Sequence, residues 1–265
     1  MSLPPERKRI AVLLSGRGSN FAAIHEAITS GELDAEIAVV ISNRSDAPGL
    51  ARAAEWGYPA EAIPHRGQPT REAHEALVIE AIEASGAGTV VLAGYMRILS
   101  ATFVGRFRGR ILNIHPSLLP SFPGVDAQAQ ALAWGVKIAG CTVHLVDESL
   151  DGGPILVQRA VPVLDDDTPE TLSARILAEE HRAYVEALRI VTSGEYRVEG
   201  RRVRARDQGP GARKSPEKVR RQKAEGRSKD NGDGWQGAGI PKDALRRNVS
   251  SLCLCFYFCL LPSAF

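Results

Sequence analysis

Cysteine is scarce in this chain, and its distribution argues against a fold held together by disulfides. The 265 residues include four cysteines, namely Cys141, Cys253, Cys255 and Cys259. Because Cys141 stands alone in the body of the protein, no disulfide framework is predicted. The first ten residues are polar and charged, without the basic and apolar segments of a secretory signal. Together these absences predict a cytoplasmic protein.

Several familiar site motifs are also missing. No group of Cys, His and Asp residues has the spacing of metal ligands, so no metal is expected. Ser15–Asn20 is rich in glycine, but Phe21 stands where a dinucleotide fingerprint has its third glycine, and the Lys-Ser/Thr pair of a P-loop is absent. Leu252–Leu261 is an apolar run of ten residues, shorter than the roughly 20 that a membrane helix needs. We therefore expect no membrane association.

Charge is distributed unevenly along the chain. The net charge is +2, yet residues 201–250 contain 15 Lys or Arg against 6 Asp or Glu, and residues 1–200 are acidic. Near the same point the composition changes to Gly, Lys, Arg, Ser and Pro with few apolar residues. Such a segment cannot bury enough apolar surface to fold. We predict a folded domain over residues 8–195 and a disordered basic tail over residues 205–265.

The first 195 residues alternate between short apolar runs and segments with helical spacing of apolar residues. This alternation predicts a single Rossmann-like α/β domain, with a mainly parallel sheet flanked by helices. The strand candidates are Ile10–Leu14, Ile37–Ile41, Ala60–Ile63, Val90–Leu92, Ile111–Ile114, Ile138–Leu145 and Ile155–Val161. The helix candidates are Asn20–Thr29, Pro48–Trp56, Arg71–Ala84, Ala127–Trp134 and a longer helix of about Thr168–Val191, with Asp167 or Thr168 as its N-cap.

The segment Asn113–Pro120 carries the most informative side chains. Asn113 and His115 are two residues apart at the end of a strand, so both side chains lie on one face. Pro116 cannot donate to a sheet ladder and ends the strand. An amide donor and a titratable base at the carboxyl end of an α/β strand occupy the place where such folds position chemistry.

The glycine-rich loop Ser15–Asn20 follows the first strand and leads directly into a helix. Gly16 and Gly18 permit a tight turn and close backbone approach. The N–H groups and dipole of the following helix then favour an anion such as a phosphate. The alternative is an ordinary tight connection between strand and helix.

Asp151 lies in a turn with two glycines and a proline, between two apolar strands. Such a composition predicts a specific loop shape that can hold the carboxylate opposite His115, where it would favour the imidazolium. An Asp that serves its own turn is the alternative. His144, late in the preceding strand, is equally compatible with a packed core histidine and with a residue that supports the site.

Four blocks, in this order and at these intervals, closely resemble the phosphoribosylglycinamide formyltransferases, folate-dependent enzymes of purine biosynthesis. They are Ser15–Asn20, Gly94–Leu99, Asn113–Pro120 and Leu150–Pro154, and the resemblance covers roughly residues 8–195. It implies transfer of a formyl group from 10-formyltetrahydrofolate, as co-substrate, to the amine of glycinamide ribonucleotide. Asp126 and Gln128 stand where family members often carry histidine.

The resemblance also implies a role for individual side chains. Asn113, His115 and Asp151 match the family's catalytic trio. The implied ligands of glycinamide ribonucleotide are Gly18, Ser19, Asn20 and Glu180, and those of the folate are Arg71, Met96, Arg97, Ile98, Leu99 and Asn113. From composition alone, Gly94–Ser100 is an apolar loop with one cation, suited to a flat heterocycle.

Three other functions remain as alternatives. A methionyl-tRNA formyltransferase would need a tRNA-binding domain, whose apolar pattern residues 205–265 lack. A formyltetrahydrofolate hydrolase would usually carry a regulatory domain, for which the roughly seven residues before the first strand leave no room. A silent nucleotide-binding module with an RNA-binding tail would not need the trio. We therefore expect small-molecule substrates, no nucleic acid, and a monomer or homodimer.

Overall fold

Strands and helices alternate along the chain as the apolar periodicity predicts. A computed structural model describes residues 8–206, so the predicted tail from residue 207 onward lies outside the described residues. The strands are β1 (Arg9–Leu14), β2 (Glu36–Ser42), β3 (Ala60–Ala62), β4 (Thr89–Leu92), β5 (Ile111–His115), β6 (Ile138–Leu145), β7 (Ile155–Pro162), β8 (Tyr196–Glu199) and β9 (Arg202–Ala205). The helices are α1 (Ser19–Thr29), α2 (Pro48–Glu55), α3 (Arg71–Ala84), α4 (Ala101–Arg106), α5 (Ala127–Trp134) and α6 (Pro169–Ser193).

The strands form one sheet in the order β3-β2-β1-β4-β5-β6-β7-β9-β8. From β3 to β5 all neighbours are parallel, whereas β6 is antiparallel to both β5 and β7. The expectation of a mainly parallel sheet is confirmed. The chain order reverses at β1, with β2 on one side and β4 on the other. Open α/β sheets bind ligands at such a switch point, beside the carboxyl ends of the strands.

The central strands of the sheet are buried on both faces, which explains why they read as nearly continuous apolar runs. Alternate residues of β1 enter different clusters: Val12 packs with α1 and α6, whereas Leu13 packs with α3 and α4. The hydroxyl of Tyr184 in α6 donates to the carbonyl oxygens of Leu92 (2.9 Å) and Leu112 (3.1 Å). This buried contact fixes α6 against the ends of β4 and β5.

Two features were not predicted from the sequence. The first is the short helix α4, whose N-cap Ser100 accepts a hydrogen bond from the Phe103 N–H. The second is the hairpin of β8 and β9, which joins the sheet where Arg202 pairs with Ile155 of β7. Through this hairpin the sheet continues to Ala205, ten residues past the expected domain end.

Candidate active site

The carboxyl end of β5 brings two polar side chains together with a third from β6. Antiparallel pairing places His144 directly opposite Asn113. The amide nitrogen Nδ2 of Asn113 lies 3.2 Å from Nε2 of His144. Sequence reasoning left the role of His144 open, because only the register between the two strands shows that it meets Asn113.

The other ring nitrogen of His144 defines the direction of this hydrogen bond. Nδ1 lies 3.1 Å from the carbonyl oxygen of Leu145, which can only accept. Nδ1 therefore carries the proton, and Nε2 accepts from Asn113. Burial lowers the pKa of His144, which favours this neutral form. Asn113 thus uses one amide N–H on His144, and the other has no hydrogen-bond partner among residues 8–206.

His115 is buried between two oxygen atoms from different loops. Its Nε2 lies 2.8 Å from the carbonyl oxygen of Phe122, and its Nδ1 lies 3.5 Å from Oδ2 of Asp151. Both neighbours are hydrogen-bond acceptors, so each ring nitrogen of His115 faces an oxygen atom. The structure therefore brings Asp151 to His115, as the sequence predicts.

Asp151 is held in place by the shape of its loop. Its φ is +49°, and its Oδ2 accepts the Gly124 N–H at 2.9 Å. Any Cβ added at Gly153 would lie 1.9 Å from the Leu145 carbonyl oxygen. Gly153 is thus required because this loop lies close to the end of β6. The same close approach places the Asp151 carboxylate beside His115.

The glycine-rich loop presents the N-terminus of α1. Gly18 is the N-cap with φ +70°, and no side chain of the described residues caps this end of the helix. Ser19 and Asn20 form the first turn of α1. The N–H groups of this first turn are suited to an anion. This geometry agrees with the phosphate interpretation of the loop, although an ordinary strand–helix connection would also use such a glycine.

Asn20 connects α1 with α6. Its Nδ2 donates to Oε2 of Glu180 at 2.8 Å, and its Oδ1 has no hydrogen-bond partner among the described residues. Burial raises the pKa of the Glu180 carboxyl, against the opposing effects of the Asn20 hydrogen bond and the His115 charge. Glu180 is therefore buried within electrostatic range of His115.

The loop after β4 lies beside the glycine-rich loop. The Met96 side chain is 79% exposed and that of Ile98 is 67% exposed, whereas Leu99 packs against the core. Arg97 is half-buried. Exposed apolar side chains next to a polar cluster are typical of a ligand-binding surface.

Three other positions named from the sequence lie outside the group formed by Asn113, His115, His144 and Asp151. Arg71 begins α3 and forms an exposed ion pair with its neighbour Glu72 at 3.3 Å. Asp126 is exposed with φ +57° at the N-cap of α5, and Gln128 is half-buried in the first turn of that helix. Among residues 8–206 they form no hydrogen bond or ion pair with Asn113, His115 or Asp151.

Membrane-spanning helices and metal-binding groups of side chains are both absent from the described residues. No helix within residues 8–206 is long and apolar enough to cross a membrane. Over the same residues, no three His, Cys, Asp or Glu side chains are grouped so that they could hold a metal ion.

Known proteins resemble this chain over the same region. A sequence profile of the family described as formyl transferase matches residues 8–188. The trifunctional purine biosynthetic protein adenosine-3 of Drosophila pseudoobscura pseudoobscura is 48% identical over 197 residues, which cover 74% of this chain and 14% of that protein. The chain therefore spans about one seventh of that relative's length.

Shorter relatives match along most of their length. Phosphoribosylglycinamide formyltransferase of Escherichia coli (strain K12) is 42% identical over 175 residues, which cover 66% of this chain and 82% of that protein. The solved structure of glycinamide ribonucleotide transformylase 1 from Symbiobacterium toebii is 51% identical, with a TM-score of 0.74. The match covers 76% of this chain and 95% of that one.

Proposed function

The chain belongs to the formyl transferase family, and from that premise we propose that it transfers a formyl group from 10-formyltetrahydrofolate to the amine of glycinamide ribonucleotide, in de novo purine biosynthesis. The observation that carries the proposal is the placement of Asn113, His115 and Asp151 together at the end of β5. That site lies next to the switch point of the sheet, where the glycine-rich loop and the loop after β4 begin. Relatives that the chain covers along most of their length carry the same activity in their names.

The trio suits acyl transfer to an amine. Attack of the amine on the formyl carbon gives a tetrahedral intermediate with a developing oxyanion. The free N–H of Asn113 donates to that oxygen, and the His115 imidazolium stabilises it and assists proton transfer. Asp151 faces His115 and helps to order the water that relays a proton to N10 of the folate.

The remaining residues divide between two subsites. We assign the phosphate of glycinamide ribonucleotide to Gly18, Ser19 and Asn20 at the start of α1, and its ribose to Glu180. We assign the folate to Arg71 and to the segment Met96–Leu99, with Asn113 between the two substrates. The adjacency of the two loops at the switch point supports this division.

The catalytic domain is proposed to comprise residues 8–195, in a cytoplasmic enzyme that acts on small molecules as a monomer or homodimer. The trio would also serve a formyltetrahydrofolate hydrolase or a methionyl-tRNA formyltransferase. These activities differ in the acceptor, which is water or an aminoacyl-tRNA instead of glycinamide ribonucleotide. A test of function must therefore vary the acceptor while the folate is held constant.

The full chain, purified, should consume 10-formyltetrahydrofolate, followed at the ultraviolet band of the folate, only when glycinamide ribonucleotide is added. Asn113→Ala should lower the rate by about 10²–10³, the usual cost of one oxyanion donor. His115→Ala should lower it by about 10²–10⁴. Folate consumption without the ribonucleotide would assign the chain to the hydrolases, and formylation of methionyl-tRNA would assign it to the tRNA enzymes.

Asp151→Asn should also reduce turnover strongly, because it removes the carboxylate that faces His115. Asp147→Asn is the matched control: Asp147 lies in the same loop, but its Oδ1 accepts the Ser149 N–H at 2.9 Å within the turn. We expect the control variant to stay within a few-fold of wild type. Equal losses in the two variants would mean that the loop tolerates no change, and that no specific role belongs to Asp151.

A further inference from the structure

Ser15 joins the two loops that meet at the switch point of the sheet. It is the first residue after β1 and is 6% exposed. Its main-chain N–H donates to the Gly94 carbonyl oxygen at 3.0 Å, and its Oγ accepts the Met96 N–H at 2.8 Å. One residue of the glycine-rich loop therefore forms two hydrogen bonds to the main chain of the loop after β4.

The Ser15 hydroxyl also forms a hydrogen bond toward β2, on the side away from the loop after β4. Its Oγ donates to Oδ1 of the buried Asn43, which follows β2, at 2.5 Å. His65, in the loop after β3, donates from its Nδ1 to the main-chain oxygen of Asn43 at 3.0 Å. A line of hydrogen bonds thus crosses the carboxyl ends of four neighbouring strands and passes through the Ser15 hydroxyl. A hydroxyl can serve there because it both donates and accepts.

The two loops depend on this hydroxyl to different degrees. The glycine-rich loop has its own main-chain bonds, from Gly49 N–H to the Gly16 oxygen (3.0 Å) and from Ala22 N–H to the Gly18 oxygen (2.9 Å). The Met96 N–H is held by the Ser15 Oγ alone among the described contacts, while the Met96 side chain is largely exposed. Loss of the hydroxyl should therefore free the main chain at Met96, while the bond from the Ser15 N–H to Gly94 and the glycine-rich loop stay in place.

We propose that Ser15 is a positioning residue, whose hydroxyl holds the main chain at Met96 in the conformation that binds the folate. The inference rests on the proposed function, since it assigns the folate to Met96–Leu99. It adds that the Ser15 side chain, which belongs to the glycine-rich loop, shapes the folate subsite. Ser15 acts through Met96 and does not itself contact the reacting atoms.

Ser15→Ala tests the proposal by a difference between the two substrates. The substitution removes the hydroxyl bonds to Met96 and Asn43, and loss of the bond to the Met96 N–H should raise the KM for 10-formyltetrahydrofolate about three- to tenfold. The KM for glycinamide ribonucleotide should change less than twofold. Ser15→Thr retains the hydroxyl and should restore much of the folate affinity.

Ser42→Ala provides the matched control. Ser42 is fully buried at the end of β2, and its Oγ accepts the Arg44 N–H at 3.1 Å, but it has no described contact with the loop after β4. It loses the same kind of bond at the same edge of the sheet. Its folate KM should stay at the wild-type value, even if its thermal stability falls as far as that of Ser15→Ala.

Calorimetric titration of the same proteins with 10-formyltetrahydrofolate alone separates this inference from the proposed function. If wild type binds the folate but formylates no ribonucleotide, the function is wrong, and a weaker Kd in Ser15→Ala still supports the positioning role. An unchanged folate Kd in Ser15→Ala overturns the inference. So does a parallel rise of both KM values, which would indicate a general structural defect, and so does a wild-type protein that does not bind the folate.

Discussion

At Asn113 a single hydrogen bond decides which way the amide points. The acceptor, Nε2 of His144, is available because the other nitrogen of the ring donates to the Leu145 carbonyl. Rotation of the amide by 180° would place its oxygen against that nitrogen and turn the free N–H away from its present direction. In the proposed mechanism, His144 therefore positions the oxyanion donor without itself contacting the substrate.

His144→Phe should lower kcat by about tenfold, because the Asn113 N–H loses its buried partner and the amide can rotate. The KM for glycinamide ribonucleotide should be nearly unchanged, since the phosphate site at α1 is not altered. His181→Phe is the control, because His181 is a partly buried histidine of α6 whose Nε2 has no hydrogen-bond partner within residues 8–206. If His144→Phe loses only thermal stability and keeps its kcat, His144 is an ordinary core residue.

The same residues show how far sequence reasoning reaches into the site. The shared face of Asn113 and His115 follows from the period of two in a strand, and the approach of Asp151 follows from its glycine-rich turn. The contact of His144 with Asn113 depends on the register of β5 against β6, and the Phe122 carbonyl reaches His115 through an irregular turn. Neither register nor irregular turns leave a periodic signal, so both required the structure.

Among the larger elements, the turn into α1 depends on a left-handed glycine. Gly18 has φ +70°, and a Cβ added there would lie 3.3 Å from the Cα of Gly49. A side chain would therefore be strained by the backbone conformation and would also press on the start of α2. Both effects displace the helix end to which we assign the phosphate.

Gly18→Ala should raise the KM for glycinamide ribonucleotide several-fold and leave the KM for the folate nearly unchanged. Gly86→Ala controls for backbone strain alone, since Gly86 has φ +68° and its added Cβ would meet only the Arg9 Nε at 3.7 Å. Both variants should lose about 1 kcal/mol of stability, measured by urea unfolding. Equal KM values in the two variants would mean that the first turn is structural and binds no phosphate.

The secondary structure follows from the sequence wherever periodicity extends over enough residues. The bounds of α3 and β6 are as predicted, and Thr168 caps α6 by accepting the Thr171 N–H. Helix α4 has six residues, too few for a clear period, and the hairpin of β8 and β9 is polar and largely exposed. The pairing of this hairpin with β7 depends on tertiary context, which composition does not indicate.

For the whole molecule, the buried titratable groups determine how stability depends on pH. Burial lowers the pKa of His74, His144 and His181 below the ordinary value of 6.5. Below that pH the unfolded chain binds protons that the folded chain does not bind, so the free energy of unfolding falls as pH decreases. Burial raises the pKa of Glu180 above 4.5. The contribution of Glu180 to the free energy of unfolding therefore increases as pH decreases, because the folded state binds the proton first.

His74 offers a way to measure this dependence apart from catalysis. It is 1% exposed, its Nε2 lies 2.8 Å from the Ile63 carbonyl oxygen, and its Nδ1 has no hydrogen-bond partner among the described residues. His74→Phe should be less stable at all pH values, because the Ile63 carbonyl loses its donor. Between pH 7.5 and 5.5, however, its free energy of unfolding should fall less steeply than that of wild type, since one protonation site of the unfolded chain is gone. Urea unfolding across this range measures both slopes, and the contribution of Glu180 is common to the two proteins. Parallel slopes would show that His74 takes up its proton equally in the folded and unfolded states, contrary to its burial.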